Sequence, residues 1–186
     1  MPIQPSSGLL DQIAINHGTD KSSKQHSYCD LYEQHLPPNP RTILEIGIGQ
    51  GGSLRMWKEF YAKRGLFPRV IGVDNDPECT YFDLDCLFGD ATKPSTFMNL
   101  PRQFDVVIDD GSHQALSVIS TFSILWPRVA VGGLYVIEDL ECTRHVQFGG
   151  NNRGGPVVEL LNTLVPQAIK GALELHFYKE IAFISR

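Results

Sequence analysis

Residues 42–53 read Thr42-Ile43-Leu44-Glu45-Ile46-Gly47-Ile48-Gly49-Gln50-Gly51-Gly52-Ser53. An apolar run of strand length passes straight into a glycine-rich turn, and Leu54, Trp57, Phe60 and Tyr61 then recur at the spacing of one helix face. Strand, glycine turn and helix in that order present free backbone N–H groups at a helix N-terminus, where a ligand can approach closely. The alternation continues downstream. Val70–Asp74 reads as a second strand, a short third strand ends near Phe88-Gly89-Asp90, and Phe104–Asp110 is a fourth. The next helix is expected to turn Leu116, Ile119, Phe122, Leu125 and Trp126 inward, with Pro127 limiting its end. Gly132-Gly133 then opens a fifth strand, Leu134–Asp139. Strands alternating with helices predict a parallel sheet. The last two apolar runs, Leu173–Tyr178 and Ile181–Ser185, are separated by Lys179-Glu180 alone. Two residues close a hairpin but cannot make a parallel crossover, so the final strand runs antiparallel to its neighbour.

The expected fold class is therefore α/β: a Rossmann-like, seven-stranded, mostly parallel sheet with its last strand antiparallel and helices on both faces. At 186 residues the chain has room for a single domain, with residues 1–40 as an N-terminal helical cap and 41–186 as the core. In the cap, Leu9, Leu10, Ile13 and Ala14, then Tyr28, Leu31, Tyr32 and His35, recur at helical spacing, and Pro37-Pro38-Asn39-Pro40 closes the region as a rigid turn. Gln147–Pro156, with four glycines, has the composition of a mobile loop, and Val157, Val158, Leu160, Leu161 and Leu164 suggest one more helix. A hydrophobic content of 42% with 20% charged residues is that of an ordinary globular protein and argues against disorder. The net charge of -5 leaves no electrostatic footprint for nucleic acid or an anionic membrane. No apolar run approaches the roughly 20 residues needed to span a bilayer. The opening residues 1–12 lack the basic-then-apolar pattern of a secretion signal, so a cytoplasmic protein is expected. Cys29, Cys79, Cys86 and Cys142 have no zinc-ligand spacing and read as reduced thiols, a Cys79–Cys86 bridge being the alternative.

The glycine turn alone leaves two cofactors open. Gly47, Gly49 and Gly52 satisfy the dinucleotide spacing G-x-G-x-x-G, which would make the chain a nicotinamide-dependent oxidoreductase. Glu45, Gly47, Gly49 and Gly51 satisfy E-x-G-x-G-x-G, the pattern of S-adenosylmethionine binders. Asp74, ending the second strand, can accept hydrogen bonds from both ribose hydroxyls in either class of site, and Asp90 after the third can hold an adenine amine. The fourth and fifth strands discriminate. They end in Asp109-Asp110 and Glu138-Asp139, and neighbouring strands lie about 4.8 Å apart. Four acids converging on one crevice repel each other unless a cation sits among them, and oxygen ligands with open positions suit Mg²⁺. His113, just before the next helix, is placed to serve as a general base there. His35, His145 and His176 have no comparable company.

With these residues in view, the chain resembles the Mg²⁺-dependent class I methyltransferases that O-methylate sugars of natural products, the mycinamicin and macrocin O-methyltransferases among them. It is also similar to the cephalosporin-biosynthesis methyltransferase. The match runs from His17 to Asp139. It comprises His17-Gly18-Thr19-Asp20-Lys21 with His26 and Tyr28, Leu44–Gly49, Ile108-Asp109-Asp110-Gly111-Ser112-His113 and Ile137-Glu138-Asp139-Leu140. The resemblance implies methyl transfer from S-adenosylmethionine to a hydroxyl oxygen of a small-molecule acceptor. Mg²⁺ would lie on Asp110, Glu138 and Asp139, with His113 as general base. It places Thr19, Glu45, Gly47, Gly49, Gly51, Ser53, Asp74, Asp90 and Asp109 around the cofactor. A catechol-type methyltransferase and a non-catalytic cofactor-binding subunit are the alternatives within this reading. Two departures stand out. Glu141-Cys142-Thr143-Arg144-His145 replaces the family's small hydroxyl residues and Tyr-Trp pair, and the larger members' additional N-terminal domain has no counterpart. The acceptor is then expected against residues 147–156, the N-terminal helices or a neighbouring subunit, which makes a homo-oligomer plausible.

Overall fold

The computed structural model of the chain describes residues 8–186. Part of the 1–40 cap, and most of the opening segment read for a secretion signal, thus lie outside the described residues. The elements run α1 Leu9–His17, α2 Cys29–His35, β1 Thr42–Ile46, α3 Gly52–Ala62, β2 Arg69–Asp74, β3 Asp85–Phe88, β4 Phe104–Asp109, α4 Ala115–Leu125, β5 Val129–Ile137, α5 Gly155–Ile169, β6 Glu174–Phe177 and β7 Ala182–Ser185. The sheet has seven strands in the order β3-β2-β1-β4-β5-β7-β6. β1 to β5 pair in parallel, and β7 is antiparallel to both β5 and β6, as the two-residue connection requires. The chain leaves β1 in one direction and returns to β4 on its other side. That reversal opens a crevice beyond the carboxyl ends of β1 and β4.

The central strands are apolar on both faces because both are covered. Ile43, Val106, Ile108 and Val136 pack with Leu10, Ile13, Tyr32, Trp57 and Phe60 under α1, α2 and α3. The intervening residues Leu44, Ile46, Val107, Tyr135 and Ile137 pack with Phe122, Leu125, Leu161 and Leu164 under α4 and α5. This alternation decides where each acid at a strand end is aimed.

Three local expectations change. Leu116 is 75% exposed, and the buried stripe of α4 is Ala115, Val118, Thr121, Phe122 and Leu125. Phe122 and Leu125 are buried as expected, but in the first half of the helix Ala115 and Val118 take the buried places expected for Leu116 and Ile119, and Ser117, Val118 and Thr121 line the crevice. β5 begins at Val129, and Gly132-Gly133 form a bulge inside it, where pairing jumps from Phe104↔Val129 to Val106↔Leu134. Residues 149–154 are tied by backbone bonds from Gly150 to His145 (3.1 Å) and Asn151 to Thr143 (3.1 Å), and α5 starts at Gly155. All four cysteines are free. Among the described residues no helix is long and apolar enough to cross a membrane.

Candidate active site

The crevice is a cavity of about 660 Å³ lined by the glycine turn, by residues 18–21 and by the ends of β2 to β4. Gly47 has φ 90°, and a Cβ there would lie 2.0 Å from the Asp110 carbonyl oxygen, so only glycine lets the two loops cross. Gly47 donates to Val73 O at 2.9 Å, which continues the sheet one residue into the turn. Gly49, Ser53, Thr19, Asp74, Asp90 and Asp109 all line the cavity. Asp74 Oδ2 accepts from the N–H of Ile48 (2.7 Å) and Gly49 (3.4 Å), and Oδ1 from Asp76 N–H (2.9 Å). Burial works upward on this carboxyl, but those backbone donors outweigh it and hold its pKa low, so Asp74 stays an anion at the turn. Asp90 Oδ1 accepts from the N–H and hydroxyl of Thr92 (2.8 and 2.6 Å).

Gly51 does not line the cavity. A Cβ on it would meet Leu84 and Arg55 side chains on the far side of the turn, and Gly52 takes the place facing the crevice. Glu45 is also outside. It shares a sheet face with Ile43, which turns its carboxylate under α3, where Oε2 accepts from the Trp57 indole at 2.6 Å. Glu138 follows the same rule. It continues the face of Val136, is 3% exposed, and gives one oxygen to the Tyr32 hydroxyl and the other to Lys21 at 2.9 Å. Side-chain alternation along the strands thus removes two of the expected site acids from the cavity wall.

What remains on that wall is Asp110, His113 and Asp139, whose ligand atoms lie within 4.8 Å of one another. His113 Nε2 is 3.3 Å from Asp139 Oδ2. Both residues have left-handed backbone, φ 54° and φ 53°, which is uncommon outside glycine and gathers at functional loops. Tyr28 donates its hydroxyl to Asp139 Oδ1 at 2.8 Å. Burial and that carboxylate push the Tyr28 pKa far above its ordinary value, so it remains a donor. Two carboxylates on the wall of an accessible cavity fit a hard divalent cation with open positions, and the His113 imidazole lies beside them. The bare glycine turn beside Asp74 fits a nucleoside cofactor.

Lys21, to which sequence pattern gives no role of its own, is the hub of the site. It is fully buried, its ammonium 2.5 Å from Asp110, 2.9 Å from Glu138 and 3.4 Å from Glu45. Burial alone would strip its proton, but those carboxylates outweigh it and keep Lys21 charged. Asp109, by contrast, faces Tyr135 on the other side of the sheet, and burial pushes its pKa up to about 7.

The model for a methyltransferase domain matches residues 44–140. The 8-demethyl-8-alpha-L-rhamnosyl tetracenomycin-C 2'-O-methyltransferase of Streptomyces olivaceus is 39% identical over 156 residues, 76% of this chain and 40% of the relative. Demethylmacrocin O-methyltransferase of Streptomyces fradiae is 32% identical, over 95% of this chain and 53% of the relative. The chain therefore spans about half, or less, of the length of these relatives. Among solved structures, the MycE methyltransferase of the mycinamycin biosynthetic pathway, in complex with Mg, SAH and mycinamycin VI, superposes with a TM-score of 0.83 at 29% identity. That match covers 99% of this chain and 54% of the other. The matched segment runs from β1 to the turn after β5 and so contains the glycine turn, Asp74, Asp110, His113 and Asp139: the chain belongs to the methyltransferase-domain family.

Proposed function

We propose that the chain transfers a methyl group from S-adenosylmethionine to a hydroxyl oxygen of a small molecule, a sugar of a glycosylated natural product, with Mg²⁺ and a His113 base. The observation that carries this is the meeting of Asp110, His113 and Asp139 on the wall of the cavity that the glycine turn lines. The sugar acceptor follows the printed activities of the relatives. Four free thiols suit a reducing compartment, the cytoplasm.

Gly47, Gly49, Asp74 and Asp90 line one cavity; the glycines would present bare backbone to the cofactor, Asp74 would offer its remaining lone pairs to the ribose hydroxyls, and Asp90 would take the adenine amine. Asp110 and Asp139 would hold the metal, with Glu138 behind them on Lys21. S-adenosylmethionine supplies a methyl on a cationic sulfur, and a divalent ion lowers the pKa of a hydroxyl beside it. His113 takes the hydroxyl proton as the oxygen gains the methyl, and S-adenosylhomocysteine (SAH) is left. Tyr28 secures Asp139 from behind, and His26 stacks on the Tyr28 ring with its own ring nitrogen on Glu180.

Calorimetric titration of SAH into chelator-treated protein, repeated with NADH, tests the cofactor. SAH binding with no NADH binding is expected, and preference for NADH would return the glycine turn to the dehydrogenases. A panel of rhamnosylated and other glycosylated acceptors with vicinal hydroxyls, assayed with Mg²⁺ and with excess chelator, tests the reaction. Turnover that survives rigorous chelation would remove the metal from the mechanism.

A further inference from the structure

Lys21 is fully buried, and no step above uses it. Its ammonium has three donors, and three carboxylates stand around it: Asp110 Oδ2 at 2.5 Å, Glu138 Oε2 at 2.9 Å and Glu45 Oε1 at 3.4 Å. The other oxygens of two of these acids are held by neutral donors, the Tyr32 hydroxyl on Glu138 and the Trp57 indole on Glu45. The lysine backbone is fixed as well. Its carbonyl accepts from Tyr28 N–H at 2.9 Å and from Cys29 N–H at 3.2 Å, which ties the segment that carries the side chain to the start of α2. Asp110 is thus both a partner of the ammonium and a member of the cavity-wall group with His113 and Asp139.

We infer that Lys21 is the built-in cation of the site: it neutralises Asp110 and Glu138 when no metal is bound and, by staying in place, holds the affinity for a divalent cation low enough for the ion to exchange. Like charges sharing one carboxylate in a water-poor site repel, and here one of the two is covalently part of the fold. Lys21 is a positioning residue, acting through Asp110 and Glu138 without reaching the acceptor. The inference rests on the metal-assisted reading above.

The test is Mn²⁺ titration of chelator-treated wild type, Lys21→Met and Lys21→Arg, with free Mn²⁺ read by electron paramagnetic resonance. Wild-type protein is expected to bind Mn²⁺, and Lys21→Met to bind it at least about tenfold more tightly, because the competing charge is gone. Lys21→Arg keeps the charge and should stay near wild type. If Lys21→Met is unfolded in chelator, added Mn²⁺ should restore its circular dichroism spectrum, the divalent ion replacing the missing ammonium. Unchanged or weaker Mn²⁺ binding by folded Lys21→Met overturns the inference and leaves the metal reading intact. So does tightening by Lys21→Arg equal to that of the Met variant, or an unfolded Met variant that Mn²⁺ cannot recover. Wild-type protein that takes up no Mn²⁺ overturns both.

Discussion

Replacing Asp109 by Asn should remove a loss of stability that the wild-type protein suffers between acid and neutral pH. Asp109 ends β4 with its carboxyl 4% exposed, facing Tyr135. Burial raises its pKa from 3.8 to about 7, against the opposing pull of the Tyr135 hydroxyl at 3.3 Å and the Gly111 backbone. In the unfolded chain the group returns to its ordinary value. Between those two pH values the native state keeps a proton that the unfolded state has released. Native stability therefore falls by about 1.4 kcal/mol per pH unit, a loss absent in acid and complete above the native pKa. Over the whole interval it sums to about 4 kcal/mol, the larger part of which is incurred above pH 5. Asn cannot ionise, so the variant escapes the loss. Urea unfolding of chelator-treated wild type and Asp109→Asn at pH 5 and pH 8, followed by tryptophan fluorescence, reads the difference directly. The variant should gain about 3 kcal/mol on wild type between the two pH values, whatever the amide's own fit costs, because that cost is common to both. A stability gap that is the same at pH 5 and pH 8 would refute the reasoning, since it would mean that Asp109 ionises at its ordinary pKa inside the fold.

Three further outcomes are expected. Trp57→Phe removes a fully buried indole whose N–H donates to Glu45 Oε2 at 2.6 Å; loss of a charge-assisted bond together with a small cavity should cost about 3 kcal/mol in the denaturation midpoint analysis, and a cost below about 1 kcal/mol would show that Glu45 has found another donor. Gly47→Ala places a methyl 2.0 Å from the Asp110 carbonyl at a φ of 90°; the two loops must part, and SAH binding by calorimetry should weaken at least about tenfold. His113→Ala should leave SAH affinity unchanged while lowering methyl transfer by about 10²–10⁴-fold, and near-wild-type turnover would take the base away from His113.

The parts of the structure that local pattern determines were legible in the chain. The parallel pairing of β1 to β5 follows from the alternation of apolar runs with helical ones, and the reversal of β7 from its two-residue connection; the order of the strands came only with the structure. The acids at the ends of β4 and β5 could likewise be placed at one edge of the sheet. Which of them face the cavity is a different kind of question. Glu45 and Glu138 lie in phase with Ile43 and Val136, so alternation alone turns them toward the side of the N-terminal helices. What alternation cannot say is what waits there. The partner is Lys21, separated by 89 residues from Asp110 and by 117 from Glu138, on a short segment without periodicity of its own. Lysine is among the residues least often buried, so composition counts it with the surface charges. Only the folding of that segment over the ends of β1, β4 and β5 makes it the counter-ion of the site. The net charge of -5 therefore conceals one buried cation among the acids: Lys21 is hydrogen-bonded to Asp110 and Glu138 and lies 3.4 Å from Glu45, while Asp139 is held by the neutral Tyr28 hydroxyl. A divalent ion bound as proposed would therefore meet one carboxylate whose partner is a neutral hydroxyl and one that it must share with Lys21.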